Sequence, residues 1–159
     1  MSDITEIPKA GRGRTPAARR VVTHELSTDL RIAVARLARR LRAEKADDEV
    51  SDSQISALAL LVREGPHTLG ELSEHERVKP PSMNRTVNCL VSAGYAVRDG
   101  DPEDGRKVVL HATETGRDLI DETRRRRDAW LFQRLQELSP DERRLLADAA
   151  TILRGIADK

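Results

Sequence analysis

The chain of 159 residues is long enough to form one domain with a sizeable hydrophobic core. Its composition, 38% hydrophobic and 35% charged with 2% aromatic residues, favours a mainly helical protein over a disordered or fibrous one. The single cysteine excludes an internal disulfide framework, and no apolar run approaches the roughly 20 residues that span a bilayer. The N-terminus also lacks the apolar core of a secretory signal, so we expect a cytoplasmic protein.

The net charge of +1 conceals an uneven distribution along the chain. Residues 1–45 carry 11 Lys and Arg against 5 Asp and Glu, whereas residues 46–76 carry 1 against 8. A near-neutral total does not exclude nucleic-acid binding, because the field that attracts phosphate is local. A solvated surface with scattered patches explains the same distribution equally well. Charge alone therefore leaves both interpretations open.

The first 20 residues contain Pro, Gly, Lys and Arg without a hydrophobic period, so residues 1–20 are predicted to form a flexible basic arm. Its cations are too polar to pack in a core and would either remain in solvent or contact phosphate and the minor groove. They are Lys9, Arg12, Arg14, Arg19 and Arg20. We expect contact with DNA.

Hydrophobic spacing and capping signals predict the helices. Apolar residues at steps of three and four predict a first helix within residues 21–46. Three capping boxes, in which a Ser or Thr and a Glu or Gln three residues later bond each other's amides, open three further helices. They are SDSQ at 51–54, TLGE at 68–71 and SPDE at 139–142. The GP pair at 65–66 ends the first of these three, and Thr113 caps another helix from about 114 to 137.

Two prolines precede a further amphipathic segment, KPPSMNRTVNCLVSAG at 79–94. Pro80 and Pro81 suit the first turn of a helix, where a missing N–H loses no bond, and Gly94 is expected at its C-terminal cap. The β-prone runs YAVRD and KVVLHA follow and enclose GDPEDG, which predicts a hairpin. The predicted order is four helices, a hairpin and two helices.

The helix after the prolines has two distinct faces. At 100° per residue, one side carries the apolar residues Met83, Val87, Leu90 and Val91. The opposite side is centred on Arg85 and carries short hydrogen-bonding side chains and no carboxylate. Its members are Pro81, Ser82, Asn84, Thr86, Asn88, Cys89 and Ser92. Short polar side chains can approach base edges or phosphates closely, and arginine can bond guanine bidentately.

An ordinary amphipathic helix with a neutral surface is the alternative to a DNA-reading helix. A short capped helix precedes this segment, as a helix-turn-helix requires, and a hairpin follows it, as the winged variant requires. These two neighbours favour a winged helix-turn-helix.

The stretches SDSQISALALLVREGPHTLGELSE and SMNRTVNCLVSAGYAVRDGDPEDGRKVVLHATETGRDLI resemble the multiple antibiotic resistance regulator (MarR) family of winged-helix transcription factors. The resemblance covers roughly residues 25–155. Its most specific part is the wing, where Asp104, Gly105 and Arg106 match the family's Asp-x-Arg. The matching threonine and glycine follow at 113 and 116. Two positions depart from the family pattern: Val108 replaces a common second arginine, and Ala112 replaces the usual leucine.

The resemblance implies a mainly α fold of six helices with a β-hairpin wing, assembled as an intertwined homodimer. A winged helix-turn-helix lobe at residues 51–112 would bind DNA, and the helices at 21–46 and 114–159 would form the dimer within a MarR-type domain at 21–159. The apolar stripes of those helices would meet in the dimer. The residues expected there are Leu30, Leu37, Trp130, Leu135, Leu145, Ile152 and Ile156.

The function that the resemblance implies is sequence-specific binding of double-stranded DNA. The protein would be a repressor that binds a pseudo-palindromic operator as a homodimer and is released by a small-molecule effector. Recognition helices would enter successive major grooves, and the wings would reach the flanking minor grooves. The expected DNA contacts are Thr68, Pro80, Pro81, Ser82, Asn84, Arg85, Thr86, Asn88, Arg98, Asp104, Arg106 and Lys107. A helical dimer that binds a protein partner without DNA is the alternative.

No other constellation predicts chemistry. The four histidines lack metal-ligand spacing, and no nucleophile elbow, phosphate loop or zinc-protease motif is present, so we expect no enzyme, metal or cofactor. The run RRRR at 124–127 is interpreted as a solvated helix face. Cys89 is expected not to be a required redox switch. Since aromatic residues are few, an effector pocket between the dimer helices and the DNA lobe would be aliphatic and lined by arginine.

Overall fold

The computed structural model describes residues 16–100 and 107–157, with side chains from residue 23 onward. Within these ranges the chain forms six helices and three short strands. The helices are α1 (Pro16–Ala43), α2 (Asp52–Glu64), α3 (Leu69–His75), α4 (Pro80–Ser92), α5 (Glu114–Gln136) and α6 (Pro140–Ala157). The strands are β1 (His67–Thr68), β2 (Ala96–Gly100) and β3 (Val108–Ala112). The predicted mainly α fold with six helices and a hairpin is confirmed.

The first helix begins earlier than the sequence predicted. A flexible arm was expected through residue 20, but α1 includes residues 16–20 and ends at Ala43. Proline fits the first turn of a helix, and the alanines and arginines that follow Pro16 are strong helix formers. The predicted DNA contacts of Lys9, Arg12 and Arg14 lie outside the described residues. The chain divides after Arg39 into two compact units, the first holding most of α1 and the second holding all later elements.

The predicted helix boundaries are confirmed at the capping boxes. In α2 the Ser51 amide donates to Oε1 of Gln54 at 2.6 Å, and the Gln54 amide donates to Oγ of Ser51 at 3.3 Å. Equivalent reciprocal bonds begin α3, at Thr68 and Glu71, and α6, at Ser139 and Glu142. Their distances lie between 2.7 and 3.3 Å. Because each box satisfies orphan amides locally, these starts could be predicted without knowledge of the fold.

The end of α4 also follows from local chemistry. Gly94 has φ +77°, and its amide donates to the carbonyl of Val91 while the amide of Tyr95 donates to that of Leu90. This pair of bonds is a Schellman motif, which favours glycine at the left-handed position. The Thr113 side chain then donates to the Gly94 carbonyl at 2.6 Å and accepts from the Gly116 amide at 3.0 Å. The start of α5 is thereby tied to the end of α4.

The three strands form a small antiparallel sheet in the order β1-β3-β2. Ala96 pairs with Ala112 and Arg98 with Leu110, so β2 and β3 form the predicted hairpin. Strand β1 was not predicted, because two residues are too few to show an alternating pattern. It pairs His67 with Leu110 and Thr68 with Val109, along the edge that β3 leaves open.

The hydrophobic core lies entirely within the second unit. Among the described residues, every buried hydrophobic side chain lies between Val50 and Ile120. Leucines of α2 and α3, the inner face of α4 and the first turns of α5 pack together there. The most completely buried are Leu58, Leu60, Leu72, Val87, Leu90, Leu110 and Ile120. This core supports α4 from behind and leaves its opposite face in solvent.

The arginine run of α5 is only partly a solvated face, which corrects the interpretation from sequence. Arg124 and Arg125 are exposed and pair with carboxylates one turn earlier. Arg126 also pairs with Glu122, and its Nη1 donates to the carbonyl of Lys45 just beyond α1 at 3.1 Å. Arg127 Nε donates to the carbonyl of Leu41 in the last turn of α1, also at 3.1 Å. The last carbonyls of a helix lack partners within it and attract cations, so Arg127 caps the end of α1 and Arg126 binds the segment that follows it.

Apolar side chains remain exposed on three helices. No described residue of α1 or α6 is buried, and no residue of α5 beyond Thr123 is buried. Exposed large hydrophobics include Leu145 at 69%, Ile152 at 64% and Ile156 at 60%. Even so, none of the helices that the structure describes is long and apolar enough to cross a membrane.

Candidate nucleic-acid interface

Helix α4 is held by its apolar side and presents its polar side outward. Met83, Val87 and Leu90 are buried, and Val91 packs against the same core, as predicted. Pro80 and Pro81 occupy the first two helical positions, and the preceding Lys79 caps the helix without a side-chain hydrogen bond. Because both prolines lack an N–H and the Ser82 amide donates to the Lys79 carbonyl, this helix start offers few free amides, and mainly the helix dipole favours an anionic neighbour such as a phosphate.

The outward face contains the side chains that the sequence predicted. The exposed members are Pro81, Ser82, Asn84, Arg85, Asn88, Cys89 and Ser92. Thr86 is half-buried, and its hydroxyl donates to the Ser82 carbonyl at 3.3 Å. Thr86 is therefore less available than the sequence suggested, because its hydroxyl already has a partner within the helix. No acidic residue occurs in α4.

Arg85 lies at the centre of this face. It is exposed, and no hydrogen bond or ion pair joins it to any other part of the chain that the structure describes. An arginine without a carboxylate partner keeps all five N–H donors for an external ligand. Its planar fork matches the O6 and N7 acceptors of guanine or two oxygens of a phosphate.

Arg98 and two asparagines form a contact that the sequence did not reveal. Arg98 lies in the middle of β2, and its Nη2 donates to Oδ1 of Asn84 at 3.2 Å and to Oδ1 of Asn88 at 2.8 Å. All three residues were expected from the sequence to contact DNA separately. The spacing of four residues between the asparagines was the available signal, since it places them one above the other on a helix.

Thr68 is at the start of α3, the first helix of the helix-turn-helix. Its amide and hydroxyl both donate to Oε2 of Glu71, at 2.7 and 2.9 Å. Both bonds lower the pKa of Glu71 below the ordinary value of 4.5, and the bond from the backbone amide has the larger effect. The threonine hydroxyl therefore already has partners within the protein, and its predicted DNA contact would have to compete with them.

The turn between α3 and α4 contains an unusual backbone conformation. Arg77 has φ +52°, the one positive φ at a residue other than glycine in the described ranges. Its amide donates to the Glu74 carbonyl and that of Val78 to the Ser73 carbonyl, which completes a Schellman motif. Sequence patterns did not indicate this position, because glycine is the residue expected there. The exposed Arg77 side chain lies three residues before the start of α4.

The wing is described in its two strands but not at its tip. Lys107 is exposed at the start of β3, and His111 and Asp99 face each other across the strands at 3.8 Å. The predicted wing contacts Asp104 and Arg106 lie outside the described residues.

The residues predicted for dimerisation lie on α1, α5 and α6, the three helices whose apolar side chains remain exposed. Leu30, Leu37, Leu145, Ile152 and Ile156 are exposed, and Leu135 is half-buried. Trp130 is half-buried on α5 between the guanidinium groups of Arg40 and Arg134, 5.4 and 5.6 Å from its ring centre. Its indole N–H is enclosed and has no hydrogen-bond partner among the described residues.

A cavity of about 270 Å³ lies where the end of α1 meets α2, α3 and α5. Its walls combine aliphatic side chains with three arginines and contain no Phe, Trp or Tyr. The lining residues are Arg42, Asp52, Ile55, Ser56, Ala59, Leu60, Arg63, His75, Glu76 and Arg127. The sequence predicted an aliphatic pocket lined by arginine for an effector, and the walls of this cavity also contain two carboxylates and a histidine.

No group of three or more His, Cys, Asp or Glu side chains in residues 16–100 and 107–157 could hold a metal ion. Cys89 is a free, exposed cysteine on α4.

Comparisons with known proteins agree with this geometry. The model of the MarR family matches residues 50–108. An uncharacterized HTH-type transcriptional regulator of Mycobacterium leprae is 42% identical over 134 residues, which are 84% of this chain and 94% of the relative. An HTH-type transcriptional regulator of Mycobacterium tuberculosis has the same identity and coverage. The structure of a MarR family protein from Bacillus stearothermophilus is 25% identical with a TM-score of 0.77, covering 88% of this chain and 98% of that one.

Proposed function

Because the chain belongs to the MarR family and is a transcriptional regulator, we propose that it is a repressor that binds a pseudo-palindromic operator as a homodimer. Its relatives are described as transcriptional regulators, which favours a role without enzymatic chemistry. A repressor that acts on the chromosome would work in the cytoplasm.

The observation that carries the proposal is the exposed face of α4. Arg85 has no partner in the described chain, the surrounding side chains are short and polar, and the helix contains no carboxylate. Arg85 would read a base or an adjacent phosphate in the major groove. Arg106 would enter the minor groove, with Asp104 orienting its guanidinium or holding the hairpin.

The proposed homodimer is supported by the exposed apolar side chains of α1, α5 and α6. Soluble monomers rarely leave so many large apolar side chains exposed on their helices. A two-fold dimer would bury the same patch on both chains and would place two recognition helices about one DNA turn apart. A pseudo-palindromic operator follows from that symmetry.

For the small-molecule effector, we propose the cavity between α1, α2, α3 and α5. Its walls contain Arg42, Arg63 and Arg127, so a small acidic molecule would bind there by displacing the exposed Arg42–Asp52 and Arg63–Glu64 ion pairs. Since the cavity joins α5 to the helices that carry α4, occupation would change DNA binding if it moved one relative to the other. Screening small carboxylic acids for release of DNA by the wild type but not by Arg63→Gln tests this site.

Selection from a random double-stranded DNA library, followed by affinity measurements on the enriched site, tests the main proposal. We expect a two-fold symmetric site whose affinity falls steeply with salt. Arg85→Ala should lose about 1–3 kcal/mol of discrimination at one position in each half-site. Arg106→Ala should weaken all sequences similarly, with extra loss at A·T-rich flanks and a shallower salt slope.

Two results would refute the assignments. Failure of the full chain to enrich any sequence would remove the DNA-binding proposal and favour the protein-interaction module. An Arg106→Ala variant with unchanged affinity and salt slope would remove the wing assignment alone. Transcription in vitro from a promoter that overlaps the selected site should fall when protein is added, and a rise would contradict repression.

A further inference from the structure

Arg98 is fixed on a rigid element and directed at the recognition helix. It is the third of five residues in β2, its backbone pairs with Leu110 of β3, and its guanidinium contacts both asparagines of α4. No carboxylate pairs with it in the described chain, and the neighbouring Asp99 faces His111 instead. The charge of Arg98 therefore acts on the two amides.

The chemistry of the three side chains allows one orientation. Guanidinium groups only donate hydrogen bonds, so each amide must turn its oxygen toward Arg98 and its NH₂ group away. A cation bonded to an amide oxygen polarises the group and strengthens its N–H donors. Asn84 and Asn88 are exposed, so these donors face solvent on the side that α4 presents to a ligand.

We propose that Arg98 is a positioning residue that orients Asn84 and Asn88 so that their N–H groups read hydrogen-bond acceptors of DNA. The inference rests on the proposed DNA binding and assigns Arg98 an action through the asparagines. The acceptors available in the major groove are phosphate oxygens and the purine N7, guanine O6 and thymine O4 atoms. Exocyclic amino groups of adenine and cytosine are disfavoured, because they are donors and because the guanidinium repels their partial positive charge.

The decisive measurement is a mutant cycle on the selected DNA site and its single-base variants, by fluorescence anisotropy. The three proteins are Arg98→Met, the pair Asn84→Ala with Asn88→Ala, and the combination of all three. Arg98→Met and the asparagine pair should each lower discrimination at the same position by about tenfold. The combined variant should lose no more than the asparagine pair, because Arg98 acts through the residues already removed.

A matched control separates orientation from charge. Lys107→Met removes a cation just before β3 that contacts neither asparagine in the described chain, and it should weaken all sequences equally. Arg98→Lys should restore affinity but not discrimination, because a lysine keeps the charge and lacks the fixed fork.

Modified DNA distinguishes the two sources of acceptors. If the amides read a base, 7-deazaguanine at the sensitive position should weaken the wild type and leave the asparagine pair variant unaffected. If they read a phosphate, a methylphosphonate at one backbone position should have that effect, and Arg98→Met and the asparagine pair should then lower affinity for all sequences rather than discrimination. In either case the losses of Arg98→Met and of the asparagine pair should not add, whereas the loss of Lys107→Met should add to that of the asparagine pair. Losses of Arg98→Met that add in the combined variant, as those of Lys107→Met do, would overturn the proposal.

A measurement without DNA keeps this proposal distinct from the proposed function. In the free protein, Arg98→Met should shift the side-chain amide NMR signals of Asn84 and Asn88 and leave the unfolding midpoint unchanged. Unshifted signals would refute the contact even if the protein binds DNA. Failure to enrich any DNA, with the signals shifted, would instead refute the DNA-binding function.

Discussion

The winged helix-turn-helix lobe differs from the outer helices, which are α1, α5 beyond Thr123 and α6, in how much apolar surface it buries. From Val50 to Ile120 the lobe buries its leucines, isoleucines and valines against one another. Helix α6 buries nothing and exposes Leu145, Ile152 and Ile156 by more than half. The two regions use the same residue types and the same capping box, so local sequence does not account for the difference.

This contrast indicates which part of the molecule is stabilised within one chain. The lobe has its own core, which can hold α4 and the wing strands in place, and a surface rich in polar groups. The outer helices have well-formed caps and an apolar stripe without a partner in the chain that the structure describes. Burial of such a stripe provides most of the stability of a helix in a protein. We therefore expect substitutions in the lobe to lower its free energy of unfolding. Substitutions in the outer helices should instead weaken the association of two chains.

The largest effect is expected at Gly116, where α5 begins against the lobe. A Cβ atom there would overlap the Tyr95 carbonyl oxygen and press on the Leu58 side chain. Because the obstacle is backbone, Gly116→Ala should lower the free energy of unfolding by about 3 kcal/mol or more, measured by urea denaturation. Gly70→Ala is the matched control, since its Cβ would meet one side-chain atom at an ordinary 3.8 Å. A Gly116→Ala protein as stable as the control would contradict the packing described for α5.

A charge on α6 should separate the chains without unfolding the lobe. Ile152→Glu changes one exposed side chain in each protomer, so the proposed two-fold interface would contain two new charges. We expect dimer dissociation to become at least about 30-fold easier, roughly 2 kcal/mol, by sedimentation at several concentrations. Trp130, the single tryptophan, gives an independent fluorescence signal.

Thr151→Glu is the control for that experiment, because it introduces the same side chain on the side of α6 that lies away from the apolar stripe. It should leave the assembly intact. A wild-type protein that sediments as a folded monomer at micromolar concentration would end the proposal that these faces meet in a dimer.

The capping boxes of α3 and α6 test the same difference between the lobe and the outer helices, with smaller expected effects. Thr68→Ala removes the cap of α3, which packs in the lobe core, and should cost about 1 kcal/mol of unfolding free energy. Ser139→Ala removes the equivalent cap of α6 and should affect dimer stability rather than the lobe. Lobe unfolding monitored in a dissociated background such as Ile152→Glu should therefore respond to the first substitution only. Equal destabilisation of the lobe by both would show that α6 belongs to the same cooperative unit.

The same boxes predict a pH dependence. Bonds from Thr68 lower the pKa of Glu71, and bonds from Ser139 lower the pKa of Glu142. Both carboxylates then stabilise the folded state above the ordinary value of 4.5, and this contribution is lost as pH falls through their lowered values. Unfolding midpoints measured below pH 4.5 should fall less steeply in Glu71→Gln than in the wild type. An unchanged slope would contradict the assigned role of Glu71.

The smallest effect is expected at the turn before α4. Replacing Arg77 by glycine relieves about 1–2 kcal/mol of left-handed strain and adds about 0.5–1 kcal/mol of backbone entropy cost. Arg77→Gly should therefore stabilise the lobe by roughly 0.5–1 kcal/mol. Arg77→Ala, which removes the same charge and keeps the strain, is the control. If both variants unfolded at the same urea concentration, the strain at this residue would be negligible.

Local chemistry was sufficient for the sequence to predict the main elements. Capping boxes, the prolines of α4 and the glycine at 94 place donors, acceptors and allowed dihedral angles within a few residues of one another. The two faces of α4 were also predictable, because helix geometry alone puts Arg85 opposite Val87 and Leu90. The predicted start of α1 was wrong. The stretch of alanine and arginine at residues 16–20 has no apolar stripe to indicate a helix, but it forms one.

Tertiary structure decided how distant parts of the chain use one another. Strand β1 exists because β3 has an open edge, and Arg127 caps α1 because α5 passes its last carbonyls. Arg98 meets Asn84 and Asn88 because the fold packs the wing strand against the recognition helix. None of these contacts could be predicted from a periodic pattern in the sequence. Each joins residues that are far apart along the chain, and the elements between them determine whether they meet. Long-range contacts depend on the whole packing arrangement, whereas caps and helix faces depend on a few neighbouring residues.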